Sequence, residues 1–283
     1  MNLLRRLTKF LAACCVLCLF AATSAVAQTA DSIADSLRSR PSRISVKPVF
    51  LVPTDAQAVD PDDSAYFVKQ LKWAQDRYRE LFQGQDTFRI ESLKPHIVHS
   101  KYDTDHYLKA KDAGAEDALL ELFEQDGVDR YTCPYVYVVM FVGTGARPGG
   151  GGRPINGGVN TGGGIVILAA ASLKKSPNFQ STLQHELGHA FGLPHVNVYG
   201  YSMSANPSLM SYNPHHHTNG LEPSTTPGVF IPEDYRVLIQ NRLAFPKLHL
   251  KLADVLPTGY EVKPQKLLGP MTLRGQPDYA AEK

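Results

Sequence analysis

Residues 185–195 read His185-Glu186-Leu187-Gly188-His189-Ala190-Phe191-Gly192-Leu193-Pro194-His195. Positions four apart on an α-helix are offset by about 40° in angle and about 6 Å along the axis, so the imidazoles of His185 and His189 can reach one metal ion. Glu186 lies about 100° round from His185, where a carboxylate reaches a water on that ion without itself ligating it. A third ligand at His195 requires the helix to stop and the chain to turn back, and Gly192 is the residue that tolerates such a stop. Three imidazoles leave one position open, which is the pattern of a catalytic zinc site rather than a structural one.

The complete HExxHxxGxxH pattern resembles the metzincin clan of zinc endopeptidases, and the resemblance implies a methionine turn downstream. Ser208-Leu209-Met210-Ser211-Tyr212 is similar to that turn. It implies Met210 as an apolar floor beneath the metal and, by likeness to the astacin and serralysin branches, Tyr212 as a movable ligand that helps to stabilise the tetrahedral intermediate. Met203 is a competing turn methionine, nearer the third histidine and without a tyrosine two residues on. Val196 matches none of the acidic, serine or proline markers of the branches, so the branch stays open.

The implied reaction is peptide-bond hydrolysis by a metal-activated water. His185, His189 and His195 would hold one Zn2+, Glu186 and Tyr212 would be the catalytic residues, and Gly192 and Met210 the structural ones. Two other readings share these residues. One is a different zinc hydrolase, an aminopeptidase or a deacylase, and the other is a non-catalytic secreted binding module on a metzincin shell.

Export is expected from the N-terminus. Arg5, Arg6 and Lys9 precede an apolar run from Phe10 to Ala22, and Ala25-Val26-Ala27 offers a cleavage site before Gln28, the pattern of a secretory signal peptide over residues 1–27. The run is too short for a membrane span, which needs about 20 residues. Lys9 lies too close to Cys14 for a lipoprotein signal, and Arg5-Arg6 lacks the rest of a twin-arginine motif. The expected location is secreted or periplasmic.

Removing the signal takes three basic residues and no acidic ones, so of 29 basic and 27 acidic residues 26 and 27 remain. That balance gives no electrostatic case for nucleic acid or an anionic membrane. The expected partner is a protein or peptide substrate, and nothing in the sequence sets an oligomeric state. Of the four cysteines only Cys133 lies outside the signal, which leaves no intrachain disulfide. Thr132-Cys133-Pro134 does not look like the matrixin latency switch and reads as a buried cysteine at a strand start.

The expected fold is α+β and zincin-like: a mixed twisted sheet with flanking helices in an upper lobe, the active-site helix, and a smaller, mostly irregular or helical lower lobe. Residues 28–44 read as a spacer or short pro-segment, 45–245 as the catalytic domain with its upper lobe to about 195, and 246–283 as an extension without a usable motif. Strands are expected at 45–52, at 88–90 or 96–98, and at 135–142, and helices at about 64–82, capped by Asp62 or Asp63, and at 113–125. The aromatic stripe that includes Trp73 reads as core packing. His96, His99 and His106 lack metal spacing and read as surface or satisfied polar groups.

Residues 143–164 are glycine-rich. Gly149 to Gly152 read as a mobile loop, and Ile155 to Thr161 as the sheet edge on which a substrate strand is laid. Structural Ca2+ through Asn156 and Asn160 is a matrixin-like alternative that lacks carboxylates to support it. Ser176 followed by Pro177 starts the active-site helix, with Leu183 and Leu187 facing the core. Residues 213–230 should shape the pocket beyond the scissile bond, and His215-His216-His217 there read as exposed polar residues. A last helix is expected at 232–243.

Overall fold

The computed structural model describes residues 42–109, 112–143, 150–156, 162–174, 179–212 and 228–251. The expectations for the signal peptide, for positions 157–161, for Ser176-Pro177 and for His215-His216-His217 lie outside these residues. Among the described residues no helix is long and apolar enough to cross a membrane.

Six strands form one mixed sheet: β1 (Ser45–Val52), β2 (Arg89–Ile90), β3 (His96–His99), β4 (Tyr135–Phe141), β5 (Gly150–Pro154) and β6 (Gly164–Ala169). The order is β2-β1-β4-β6-β5, with β3 also paired to β1. All pairings are parallel except that of β5 with β6. Both strand positions expected as alternatives, at 88–90 and at 96–98, are therefore occupied, each along part of β1.

The near-continuous apolar runs of β1, β4 and β6 are those of strands covered on both faces. Alternation divides them cleanly. Val46, Phe50, Val136, Val138, Met140, Val166 and Leu168 join one core cluster, while Val49, Leu51, Tyr137, Val139, Phe141 and Ile165 join a second. The first cluster is completed by α1 (Pro61–Leu81) and α4 (Phe179–Ala190), the second by α2 (Thr104–Lys109) and α3 (Asp112–Asp126). A mixed sheet with flanking helices, as expected, is the architecture.

Helix α1 starts one turn earlier than expected. Asp60, not Asp62 or Asp63, is its cap: the Asp60 carboxylate accepts the Asp62 N–H at 2.8 Å, with Pro61 at the first helical position. Phe67, Leu71, Ala74, Tyr78 and Leu81 make its buried stripe, and Trp73 packs on the same cluster. Tyr78 is ringed by Phe82, Phe88, Phe191, Phe230 and Phe245 at centroid distances of 5.3–6.3 Å. Its hydroxyl donates to the Gln184 carbonyl at 3.2 Å, tying α1 to α4.

Helix α2 carries no apolar periodicity long enough to announce it. Asp55, 49 residues away, accepts both the N–H and the hydroxyl of Thr104 at 2.8 Å, a long-range cap that no local pattern contains. Helix α3 matches the expected span. Cys133 is buried in the second cluster, and desolvation pushes its thiol up to about 11. His106 meets Asp117 at 2.8 Å and His96 meets Glu91 at 3.2 Å, while His99 is exposed, so these three are the polar groups expected.

The last helix, α5 (Pro232–Leu238), is shorter than the expected 232–243 and ends in turns through Asn241. Leu248 and Leu250 are buried in the first cluster, so the core continues past residue 245.

The glycine-rich segment is a correction. Gly150 to Gly152 are strand, not loop, and among the described residues β5 is the antiparallel edge of the sheet; of the segment Ile155 to Thr161 expected there, the described Ile155 and Asn156 form the turn after β5. The glycines serve the helix behind them. A Cβ on Gly152 would stand 2.2 Å from the Glu186 carbonyl oxygen, and one on Gly150 would stand 2.4 Å from Leu168 and 2.9 Å from Glu186 Cγ. Only a strand without side chains lets α4 approach this closely. Gly152→Ala should therefore destabilise the protein by about 1–3 kcal/mol, read as a lower denaturant midpoint at unchanged slope.

Candidate metal centre

The helix that carries the motif ends as its glycine requires. Gly192 has φ +102°, its N–H donates to the His189 carbonyl at 2.9 Å, and the Leu193 N–H donates to the Gly188 carbonyl at 2.9 Å. This pair of bonds is a Schellman stop. It turns the chain back so that His195, ten residues after His185, faces the same point.

The three Nε2 atoms lie 3.0 Å (His185–His189) and 3.1 Å (His185–His195 and His189–His195) apart. His189 and His195 are fully buried and His185 nearly so. Second contacts fix two of the rings. His185 Nδ1 lies 2.8 Å from the Leu209 carbonyl and His189 Nδ1 lies 2.7 Å from the Leu193 carbonyl. A carbonyl only accepts, so both Nδ1 atoms carry the proton. Both Nε2 atoms then turn lone pairs towards each other.

Extra protons do not resolve this. Desolvation, then the neighbouring imidazoles, drive His189 well below its ordinary value, and the same causes push His195 down to about 3. A single proton on His195 Nε2 would relieve one contact and leave the others unmade. A metal ion resolves all three, since one point about 2.0–2.1 Å from each nitrogen is compatible with these separations. Among the described residues this is the one group of three or more His, Cys, Asp or Glu side chains placed to hold an ion.

Glu186, next in sequence to His185, is buried against the glycines of β5. Desolvation pushes its carboxyl up to about 8, opposed by a hydrogen bond from the Gly152 N–H, and its Oε2 is buried with no hydrogen-bond partner. Tyr212 covers the site. Its ring stacks on His185 at 5.6 Å and 26° and meets His195 edge-on at 4.9 Å, yet it stays half exposed. Its N–H donates to the Met203 carbonyl at 2.7 Å, so Met203 braces the turn rather than forming its floor.

Met210 is fully buried against the helix backbone. A Cβ on Gly188 would come within 2.5 Å of its sulfur, so Met210 lies under α4 between the two helix histidines. All seven residues singled out in the sequence are thus gathered at one place. Asn156, named as a calcium ligand, instead donates its Nδ2 to the Arg130 carbonyl at 2.9 Å.

Sequence reasoning missed the groups that hold the turn. Ser208 Oγ accepts the Met210 N–H at 2.9 Å and donates to Asp234 Oδ2 at 2.7 Å, and that carboxylate oxygen also accepts the Ile231 N–H at 3.0 Å. Asp234 is fully buried, and desolvation pushes it up to about 7. Its distance in sequence from the motif hid it; the only local signal was an acidic residue in the first turn of a short helix.

A scan against protein-family models finds no match, and a search of curated proteins finds none. Among solved structures, two crystal forms of wild-type OgpA from Akkermansia muciniphila each align with TM-score 0.47 at 18% identity, covering 72% and 76% of this chain and 62% and 64% of that one. Catalytically inactive OgpA from the same organism, in complex with an O-glycopeptide substrate, glycodrosocin, aligns with TM-score 0.45 at 17% identity over 70% of this chain and 60% of that one. The chain spans less than two thirds of the length of these structures.

Because His189 and His195 stay neutral in the folded chain well below the ordinary imidazole range, protons compete weakly for them. Affinity for Zn2+, measured by chelator competition, should change by about tenfold or less between pH 7.5 and 5.5, whereas unshifted imidazoles would lose about tenfold per ligand. The metal-free protein, by contrast, should lose the stability these two contribute as pH falls below 6.5 towards the depressed folded values, because the unfolded chain then binds the extra protons. Separately, Ser208→Ala leaves Asp234 buried with one donor fewer and should cost about 1–3 kcal/mol in denaturant unfolding.

Proposed function

We propose that this chain is an exported, zinc-dependent endopeptidase of the metzincin type. The observation that carries the reading is the convergence of three buried Nε2 atoms beside a buried carboxylate whose Oε2 has no partner. A structural zinc site has no use for that carboxylate. A hydrolase uses it as a base.

His185, His189 and His195 would hold the ion, and Met210 packs against the helix that carries the first two. When bound, zinc supplies Lewis acidity and lowers the pKa of water to about 7. Glu186 takes the proton from the attacking water and passes it to the leaving amine. Burial raises this carboxyl and a neighbouring cation lowers it, and the balance suits a base that must work near neutral pH. The Tyr212 hydroxyl swings over the site and donates to the oxyanion as it forms.

Substrate backbone pairs with β5. This strand is hydrogen-bonded to β6 on one side, and among the described residues no strand pairs with its other edge. A peptide adds there as a further strand, which brings a scissile carbonyl past Glu186, against which Gly150 and Gly152 pack. The basic start, apolar run and Ala25-Val26-Ala27 of the N-terminus support export, with action outside the cytoplasm.

The test is Glu186→Gln in the zinc-loaded protein. Zinc should remain at one ion per chain while kcat on casein falls by about 10²–10⁴-fold. Cleavage at the wild-type rate would remove Glu186 from the mechanism, and absence of stoichiometric metal in the wild type would remove the reading altogether.

A further inference from the structure

The edge strand β5 packs against Glu186. It is five residues long, pairs with one strand among the described residues, and reads Gly150-Gly151-Gly152-Arg153-Pro154. Three glycines maximise the backbone freedom lost on ordering it. Pro154 has no N–H to give. Yet the strand must stay in place, because Gly150 and Gly152 pack directly against Glu186.

What holds the strand comes from the opposite side of the sheet. Glu116, on α3, takes one arginine on each carboxylate oxygen: Oε2 accepts from Arg153 Nη2 at 2.6 Å and Oε1 accepts from Arg130 Nη2. Arg153 is the only residue of β5 with a long side chain, and that side chain is mostly buried. Arg130 reaches past Glu116 to donate from Nη1 to the Ile155 carbonyl at 3.0 Å, and its own carbonyl accepts from Asn156 Nδ2 at 2.9 Å. The end of β5 and the turn after it are thereby fastened at Arg153, Ile155 and Asn156 to α3 and to the segment before β4. Two guanidiniums share one carboxylate, so losing that carboxylate leaves two like charges together rather than a neutral gap.

We propose that Glu116 is a positioning residue for the hydrolysis: through Arg153 and Arg130 it fixes β5, and β5 fixes Glu186, against which Gly150 and Gly152 pack. The proposal rests on the peptidase reading above for its catalytic consequence, but the clamp has a consequence of its own. Hydrogen exchange at the strand reports it without any turnover.

The experiment compares the full zinc-loaded chain with Glu116→Gln, which keeps the shape and removes the charge. Amide exchange over residues 150–156 should quicken by about tenfold or more in the variant, while α4 and β4 exchange as before. Zinc content should stay at one per chain, and kcat on an internally quenched casein-derived peptide should fall about tenfold. Arg153→Met, which removes the other end of the clamp, should give the same pattern and decides the matter if the first variant does not fold. Unchanged exchange over 150–156, faster exchange throughout the domain, or wild-type kcat despite a loosened strand would each overturn the proposal. A wild-type chain that turns over no peptide would sink the peptidase reading instead, and the exchange pattern alone would then decide whether Glu116 holds the strand.

Discussion

Three imidazole Nε2 atoms converge within 3.0–3.1 Å of one another, and much of the described structure keeps them there. Nitrogens that converge to about 3 Å crowd one another, and two of the three rings are held there from outside. Carbonyls of Leu193 and Leu209 take the Nδ1 protons of His189 and His185, and burial excludes the water that would otherwise separate the rings. The site is preorganised for a cation. Burial holds His189 and His195 well below the ordinary imidazole range, and all three Nε2 atoms converge.

That constraint explains features that look unrelated. Gly188 has no side chain because Met210 fills the space beneath it, and Gly152 has none because the backbone of Glu186 stands there. Gly192 turns left-handed so that Leu193 can offer its carbonyl to His189 and His195 can return to the site. Tyr78, in the middle of the largest aromatic cluster, fixes the helix through the Gln184 carbonyl. Each contact removes one freedom from a helix that must present two ligands and a carboxylate at fixed angles.

Asp234 reaches the methionine turn through the Ser208 hydroxyl, and Glu116 reaches the edge strand through two arginines. Neither contacts the histidines. Both act on the segments that do, one below α4 and one beside it, which is why their sequence positions, 39 residues after His195 for Asp234 and 69 before His185 for Glu116, gave no hint of the connection.

The sequence by itself singled out the three histidines, the adjacent carboxylate, the stop at Gly192, Met210 with Tyr212, and the apolar strands at 45–52 and 135–142. These follow from periods of about 3.6 and 2 residues and from the conformational licence of glycine, all of which are local. Only the tertiary structure decided that Gly150 to Gly152 form the edge strand, that Asp60 caps α1, that Asp55 starts α2, and that Leu248 and Leu250 belong to the core. A run of glycines has no propensity that distinguishes strand from loop; its conformation is set by what packs against it, here the backbone of the active-site helix.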